Sequence, residues 1–158
     1  MVWKNPWYDP SLKHHTPTGF RNTYSVEHRP GDVDRWRKER KQASLPKPPS
    51  AGYAAFISEW WQPVELNDVQ ADGVWWLGHA SLLLRMDGNY ILTDPVFSRR
   101  ASPIPFWGPE RKTPPAITVE KLPHLDALVI SHNHYDHLDV ATVHRILRRF
   151  PDVSLFVL

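Results

Sequence analysis

The stretch Ser131-His132-Asn133-His134-Tyr135-Asp136-His137-Leu138-Asp139 brings three histidines and a carboxylate within six positions. In an extended segment alternate side chains share a face, so His132 and His134 can point at one ion while Tyr135 points away. Asp136 and His137 then turn toward a second ion close by. Imidazole with carboxylate suits zinc, and iron or manganese fit the same donors. With 9 His and 11 Asp in 158 residues, the pattern His-x-His-x-Asp-His arises by chance roughly 0.002 times in such a chain. The motif is therefore read as a metal site. With no Cys in the chain, disulfides and thiolate ligands are excluded, and any metal is held by nitrogen and oxygen.

These residues need a strand before them and a helix after. Leu125 to Ile130, interrupted only by Asp126, reads as a strand buried on both faces. Asp139 is placed to cap a helix whose apolar face carries Val140, Val143, Leu147 and Phe150, with Arg145, Arg148 and Arg149 toward its C-terminal end. Pro151-Asp152 ends that helix, and Val153 to Leu158 begins another buried strand. Upstream, Val74 to Leu77 is a short strand that closes at Gly78-His79. Ala80 to Met86 and Asn89 to Thr93 flank Asp87-Gly88, a two-residue hairpin turn. Asp94-Pro95 ends the second arm of the hairpin. Ser98 to Pro115 is a long loop with Arg99, Arg100, Arg111 and Lys112, of the kind that lies over a site. Thr118 to Leu122 makes one helical turn with Thr118 as cap.

The first 73 residues have a different character. Pro6, Pro10, Pro17 and Pro30 punctuate Trp3, Trp7, Tyr8, Phe20 and Tyr24, which reads as an extended arm packing its aromatics onto a body. Asp32 to Gln42 is a short helix with Asp32 or Asp34 as N-cap, and its charges form a solvated face. Pro46-Lys47-Pro48-Pro49 is a stiff connector, and Phe56 to Pro63, with Trp60-Trp61, is a further packed piece. Residues 1–50 carry 10 Lys and Arg against 5 Asp and Glu, whereas residues 51–158 carry 9 against 12. No run approaches the ~20 apolar residues that span a bilayer, and the N-terminus lacks the apolar core of a secretory signal. The expectation is a cytoplasmic protein. The domain reading is an arm and connector over 1–73, then an α/β body over 74–158. That body breaks off within an apolar run at Phe156-Val157-Leu158, so a longer chain is expected.

The stretch His132 to His137, following Val129-Ile130-Ser131, resembles the signature of the metallo-β-lactamase fold superfamily. Trp76-Leu-Gly-His-Ala-Ser81, Ile91-Leu-Thr-Asp-Pro95, Ser98 to Pro103, Phe106 to Arg111, Pro114-Pro115 and His14 to Phe20 look like one branch of it. This branch contains N-acylphosphatidylethanolamine-hydrolysing phospholipase D and its bacterial relatives. The resemblance implies an αββα sandwich, of which this chain carries the N-terminal half. It also implies two divalent metals, the first on His132 and His134 and the second on Asp136 and His137. Members of the family complete the site with ligands later in the chain, so four of about seven are expected here. The other histidines, His14, His15, His28, His79, His124 and His144, match no ligand motif. Asp94, His79 and Asp139 are candidates to stand behind the ligands and orient them.

Two metals ~3.5–4 Å apart acidify a bridging water and clamp a phosphodiester oxygen, with Asp136 in reach to exchange a proton. The resemblance thus implies a phospholipase D-like metallo-hydrolase releasing phosphatidic acid and an N-acylethanolamine. A lactonase or other small-ester hydrolase, and a non-catalytic fragment, are the alternatives. The basic, Trp-bearing arm fits peripheral contact with an anionic lipid surface; nucleic acid is not expected as partner. Trp75 and Trp76 are read as core, and Arg99 and Arg100 as a solvated loop.

Overall fold

The computed structural model describes residues 4–24, 29–66 and 70–157; Trp3, His28 and Leu158, named above, lie outside the described residues. The chain divides into two compact units, Met1–Lys47 and Pro48–Leu158. The division falls within the Pro46–Pro49 connector.

In the first unit, β1 (His15–Thr16) and β2 (Gly19–Phe20) form a two-stranded hairpin. Buried Asn5 ties it: its Nδ2 donates to the carbonyls of Thr16 at 3.2 Å and Gly19 at 2.8 Å. Helix α1 (Asp32–Gln42) has the expected bounds but not the expected cap. Gly31, at φ 88°, is the N-cap, a left-handed conformation open to glycine. Asp32 instead accepts from the Arg29 amide and pairs with Arg35 at 2.7 Å. No residue of α1 is buried. Within this unit Trp7, Tyr8 and Tyr24 are exposed, and the Phe20 ring meets the edge of the His15 ring.

The second unit opens with helix α2 (Gly52–Trp60), which buries no residue; Tyr53, Phe56 and Trp60 are exposed, correcting the expected packed piece. Trp61 is anchored through Nε1, which donates to the Pro114 carbonyl at 3.1 Å. A five-stranded sheet follows: β3 (Gly73–Gly78), β4 (Ser81–Met86), β5 (Asn89–Thr93), β6 (Ala127–Ile130) and β7 (Ser154–Val157), in that spatial order. The first three are antiparallel neighbours and the last two join in parallel. Asp87 and Gly88 both have positive φ, the mark of the tight hairpin turn expected there. A 3-10 turn (Val119–Lys121) precedes β6, and α3 (Val140–Arg149) joins β6 to β7. Thr118 stands at the N-cap of the 3-10 turn without a side-chain capping bond.

The register explains the core. Trp75, Leu83, Leu92 and Leu128 are successive cross-strand partners, and the three leucines are wholly buried. One face of the sheet is thus an apolar row, covered by Val143 and Ile146 of α3 and by Ile117, Val119, Leu122 and Leu125. The other face is more open. Ala127 and Val129 are only half-buried, so β6 is not buried on both faces as expected. Trp76 is exposed rather than core. On α3 the buried positions are Thr142, Val143 and Ile146, and Val140 is exposed. Strand β7 is exposed at every position, not buried. Asp126, the polar interruption before β6, accepts from the Tyr90 amide at 2.7 Å and fixes the β5–β6 register.

Asp139 holds the two chain segments beside β6 together. Its carboxylate accepts from the Thr142 amide at 3.1 Å, capping α3, and from Thr142 Oγ1 at 2.6 Å. It also accepts from the amides of Phe97 at 3.1 Å and Ser98 at 2.8 Å, and from Ser98 Oγ at 2.9 Å. Burial pushes this carboxyl up, but the bonds from Thr142 and Ser98 outweigh burial and hold it below the usual Asp range. Removing it strands buried donors as well as the cap, so Asp139→Ala should lose about 3 kcal/mol, read as a lower denaturant midpoint at unchanged slope. Because folding lowers this pKa, the unfolded chain binds the proton more tightly. The contribution is then present above the ordinary Asp value near 4 and fades as pH falls through it. Acid unfolding of Asp139→Asn should accordingly be less steep than that of the parent chain.

Candidate metal centre

Strands β3, β5 and β6 run in the same direction, so their C-terminal ends share one edge of the sheet. Such an edge is where open α/β sheets place ligands. The residues leaving it are His79 after β3, Asp94 after β5 and Ser131 after β6. His79 and Asp94 have φ of 51° and 40°, a left-handed backbone that costs a non-glycine residue about 1–3 kcal/mol. Local bonds hold it. The Asp94 amide donates to the Val129 carbonyl at 2.9 Å, and the Asp94 carbonyl accepts from Ser81 Oγ at 2.7 Å. Ser81 is wholly buried and accepts from the Val96 amide at 3.1 Å. The His79 carbonyl accepts from Trp76 Nε1 at 2.8 Å.

The turned backbone aims the buried Asp94 carboxylate at the start of the histidine loop. Asp94 Oδ1 accepts from the Ser131 amide at 2.7 Å, and Oδ2 accepts from Ser131 Oγ at 2.7 Å. Oδ2 also meets His137 Nδ1 at 2.9 Å. A carboxylate only accepts, so Nδ1 of His137 is the donor, and in the neutral ring Nε2 keeps its lone pair. Ser131 Oγ, having given its hydrogen to Asp94, accepts from His132 Nδ1 at 2.9 Å, which leaves Nε2 of His132 with a lone pair too. Burial pushes Asp94 up, but the bonds from His137 and Ser131 prevail and keep it ionised below its usual range.

The free nitrogens converge. His132 Nε2 lies 3.1 Å from His134 Nδ1, and the His132 and His137 ring centroids are 4.0 Å apart. Separately, His79, Asp136 and His137 each offer a ligand atom, all within 4.8 Å of one another. Asp136 Oδ2 is 3.2 Å from His79 Nε2 and 3.9 Å from His137 Nε2. Slight burial raises the Asp136 carboxyl, but a backbone bond and His79 together leave it below its ordinary value. Nitrogen and oxygen donors with a carboxylate behind the imidazoles fit a borderline divalent cation.

The structure therefore brings together His132, His134, Asp136 and His137, and sets Asp94 behind His137. His79 stands beside Asp136 rather than behind a ligand. Asp139 bonds to Thr142, Phe97 and Ser98 and to no histidine of the motif, so it is a cap and loop tie rather than an orienting group. His14 and His15 lie in the first unit, His124 sits by Asp126 and Phe150, and His144 is exposed on α3. Ser131 was not among the expected residues. Its position directly before the motif, at a strand end, is the signal that could have found it.

The long loop and this edge line a cavity of about 740 Å³, with His79, His134, Asp136, Arg111 and Lys112 in its wall. The loop is braced internally. Arg99 and Arg100 pair with Glu110 at 2.6 and 3.6 Å; Arg99 stays exposed, in keeping with a solvated loop, and Arg100 is half-buried. Gly108, at φ 106°, passes so near Ser102 that a Cβ would lie 2.7 Å from its Cβ.

A layered α/β unit with a histidine-and-carboxylate cluster at the strand ends is the architecture of the metallo-β-lactamase class. Residues 89–157 match the model of the beta-lactamase superfamily domain. The chain is 49% identical over 82 residues to N-acyl-phosphatidylethanolamine-hydrolyzing phospholipase D 1 of Caenorhabditis elegans, a stretch covering 52% of this chain and 23% of that protein. It is 37% identical over 68 residues to the mitochondrial N-acyl-phosphatidylethanolamine-hydrolyzing phospholipase D of Saccharomyces cerevisiae, covering 43% of this chain and 14% of that one. The chain thus spans about a quarter or less of the length of these relatives. Among solved structures, a mutant of the CmlA beta-hydroxylase overlaps 73% of this chain and 22% of its own, at 24% identity and a TM-score of 0.35.

The bond to Asp94 fixes the His137 tautomer. Long-range ¹⁵N–¹H correlation spectra at pH 7.5 should show His137 with its proton on Nδ1, and Asp94→Ala should abolish that preference. A dominant Nε2–H form in the parent chain would contradict the arrangement.

Proposed function

We propose that this chain carries the metal-binding edge of a phosphodiester hydrolase acting on N-acylphosphatidylethanolamine-type phospholipids. The observation that carries the reading is the two close donor pairs, His132 with His134 and His137 with Asp136, in which the far nitrogens of His132 and His137 are tied to Ser131 and Asp94. His132 and His134 would hold a first divalent cation, and Asp136 and His137 a second, zinc being the best match to these donors. When bound, such ions supply Lewis acidity to a phosphoryl oxygen and acidify a coordinated water.

The chain's own groups do the rest. Asp94 and Ser131 keep the lone pairs of His137 and His132 directed outward, so little reorganisation accompanies binding. Asp136, ionised and within 3.2 Å of His79 Nε2, is a proton acceptor at the cavity wall. The loop from Ser98 to Thr113 bounds the volume in which a headgroup would sit. The names of the two phospholipase D relatives support a phospholipid substrate. The basic charge of residues 1–50 supports peripheral contact with anionic lipid.

The test is direct. Zinc-loaded protein should release phosphatidic acid and an N-acylethanolamine from N-palmitoyl phosphatidylethanolamine, and should leave a simple lactone untouched. His132→Ala and His137→Ala should each lower bound zinc, measured by mass spectrometry of metal content. Lactone turnover with no phosphodiester cleavage would replace this reading by the small-ester one.

A further inference from the structure

Arg111 is the one cation of the cavity wall that the fold has pulled out of solvent. Its amide donates to the Arg99 carbonyl at 2.8 Å, closing the loop. The guanidinium donates to the carbonyls of Val96 and Thr113, and its Nε–H is buried with no partner. It lies under the end of β3, where a Cβ on Gly78 would come within 3.4 Å of Nη1.

No carboxylate among the described residues lies within ion-pairing distance of it. Its sequence neighbour Glu110 is engaged by Arg99 and Arg100. The charge of Asp139 acts on it, yet Asp139 bonds only to Thr142, Phe97 and Ser98. A guanidinium does not shed its proton, so half-burial leaves a fixed positive charge with no carboxylate bonded to it, offset only by the field of Asp139, which is costly. An anion in the cavity relieves that cost; a neutral molecule does not. The same cavity is lined by His79, His134 and Asp136.

We propose that Arg111 is the residue that selects an anionic substrate, its unpaired guanidinium holding a phosphodiester oxygen in the cavity beside His79 and Asp136. The proposal rests on the phosphodiester reading above and deepens it. It assigns discrimination against lactones and neutral esters to one side chain. Lys112 plays no comparable part, because it is exposed and its ammonium lies over the Tyr53 ring at 5.9 Å.

The test uses the metal-free 158-residue chain, so its failure is distinct from failure to hydrolyse. Glycerophosphoethanolamine, inorganic phosphate and δ-valerolactone are titrated separately while the arginine Nε–H resonances are followed, Arg111 being assigned by its loss in Arg111→Lys. The phosphodiester should shift the Arg111 signal, and the lactone should not. By calorimetry, Arg111→Gln should weaken phosphodiester binding about ten-fold or more, whereas Lys112→Gln should change it less than about three-fold. If Arg111→Gln does not fold, the parent titration still decides. An Arg111 signal indifferent to the phosphodiester would overturn the proposal, as would a response to inorganic phosphate alone or equal binding by Arg111→Gln.

Discussion

The site depends on one carboxylate. Asp94 receives three hydrogen bonds, two from Ser131 and one from His137, and through Ser131 it also governs His132. Two imidazoles separated by four residues therefore take their orientation from a single buried acid at the end of the neighbouring strand. The acid is itself positioned by a left-handed backbone, which Ser81 and Val129 hold in place. Ser81 thus helps to place Asp94 although it bonds to no histidine.

Burial makes this arrangement firm. The leucine row through β4, β5 and β6 fixes the strands laterally, and the Asp126 bond to Tyr90 fixes them lengthwise. A one-residue slip between β5 and β6 would carry Leu92 off the core face and separate Asp94 from Ser131. The core and the proposed metal site thus share a register. Asp139 adds the third fixed point by locking the start of α3 to the segment that follows Asp94.

Much of this was legible in the residues. The helix over Asp32–Gln42, the hairpin turn at Asp87-Gly88 and the capping role of Asp139 follow from local chemistry, and the structure has all three. The histidine cluster was legible because its spacing is improbable and its donors are chemically coherent. Burial was harder. Val140, Trp76 and strand β7 look apolar enough for a core, yet all are exposed, Trp76 on the open face of the sheet and β7 as its outer strand, which periodicity alone does not state. The N-cap of α1 went to Gly31 because a left-handed turn competes with an Asx cap. That His79, Asp94 and Ser131 meet comes from three strand ends sharing one edge, a tertiary fact that spacing along the chain does not state.

The most direct test of the account is zinc affinity with and without the Asp94 carboxylate, measured by competition with a chromophoric chelator at fixed pH. Removing a partner that orients a ligand typically costs 10–100-fold in metal affinity. Asp94→Ala should fall in that range while circular dichroism shows the sheet intact. An Asp94→Ala chain that binds zinc as tightly as its parent would mean that the histidines are not oriented by this acid, and the proposed organisation of the site would be wrong.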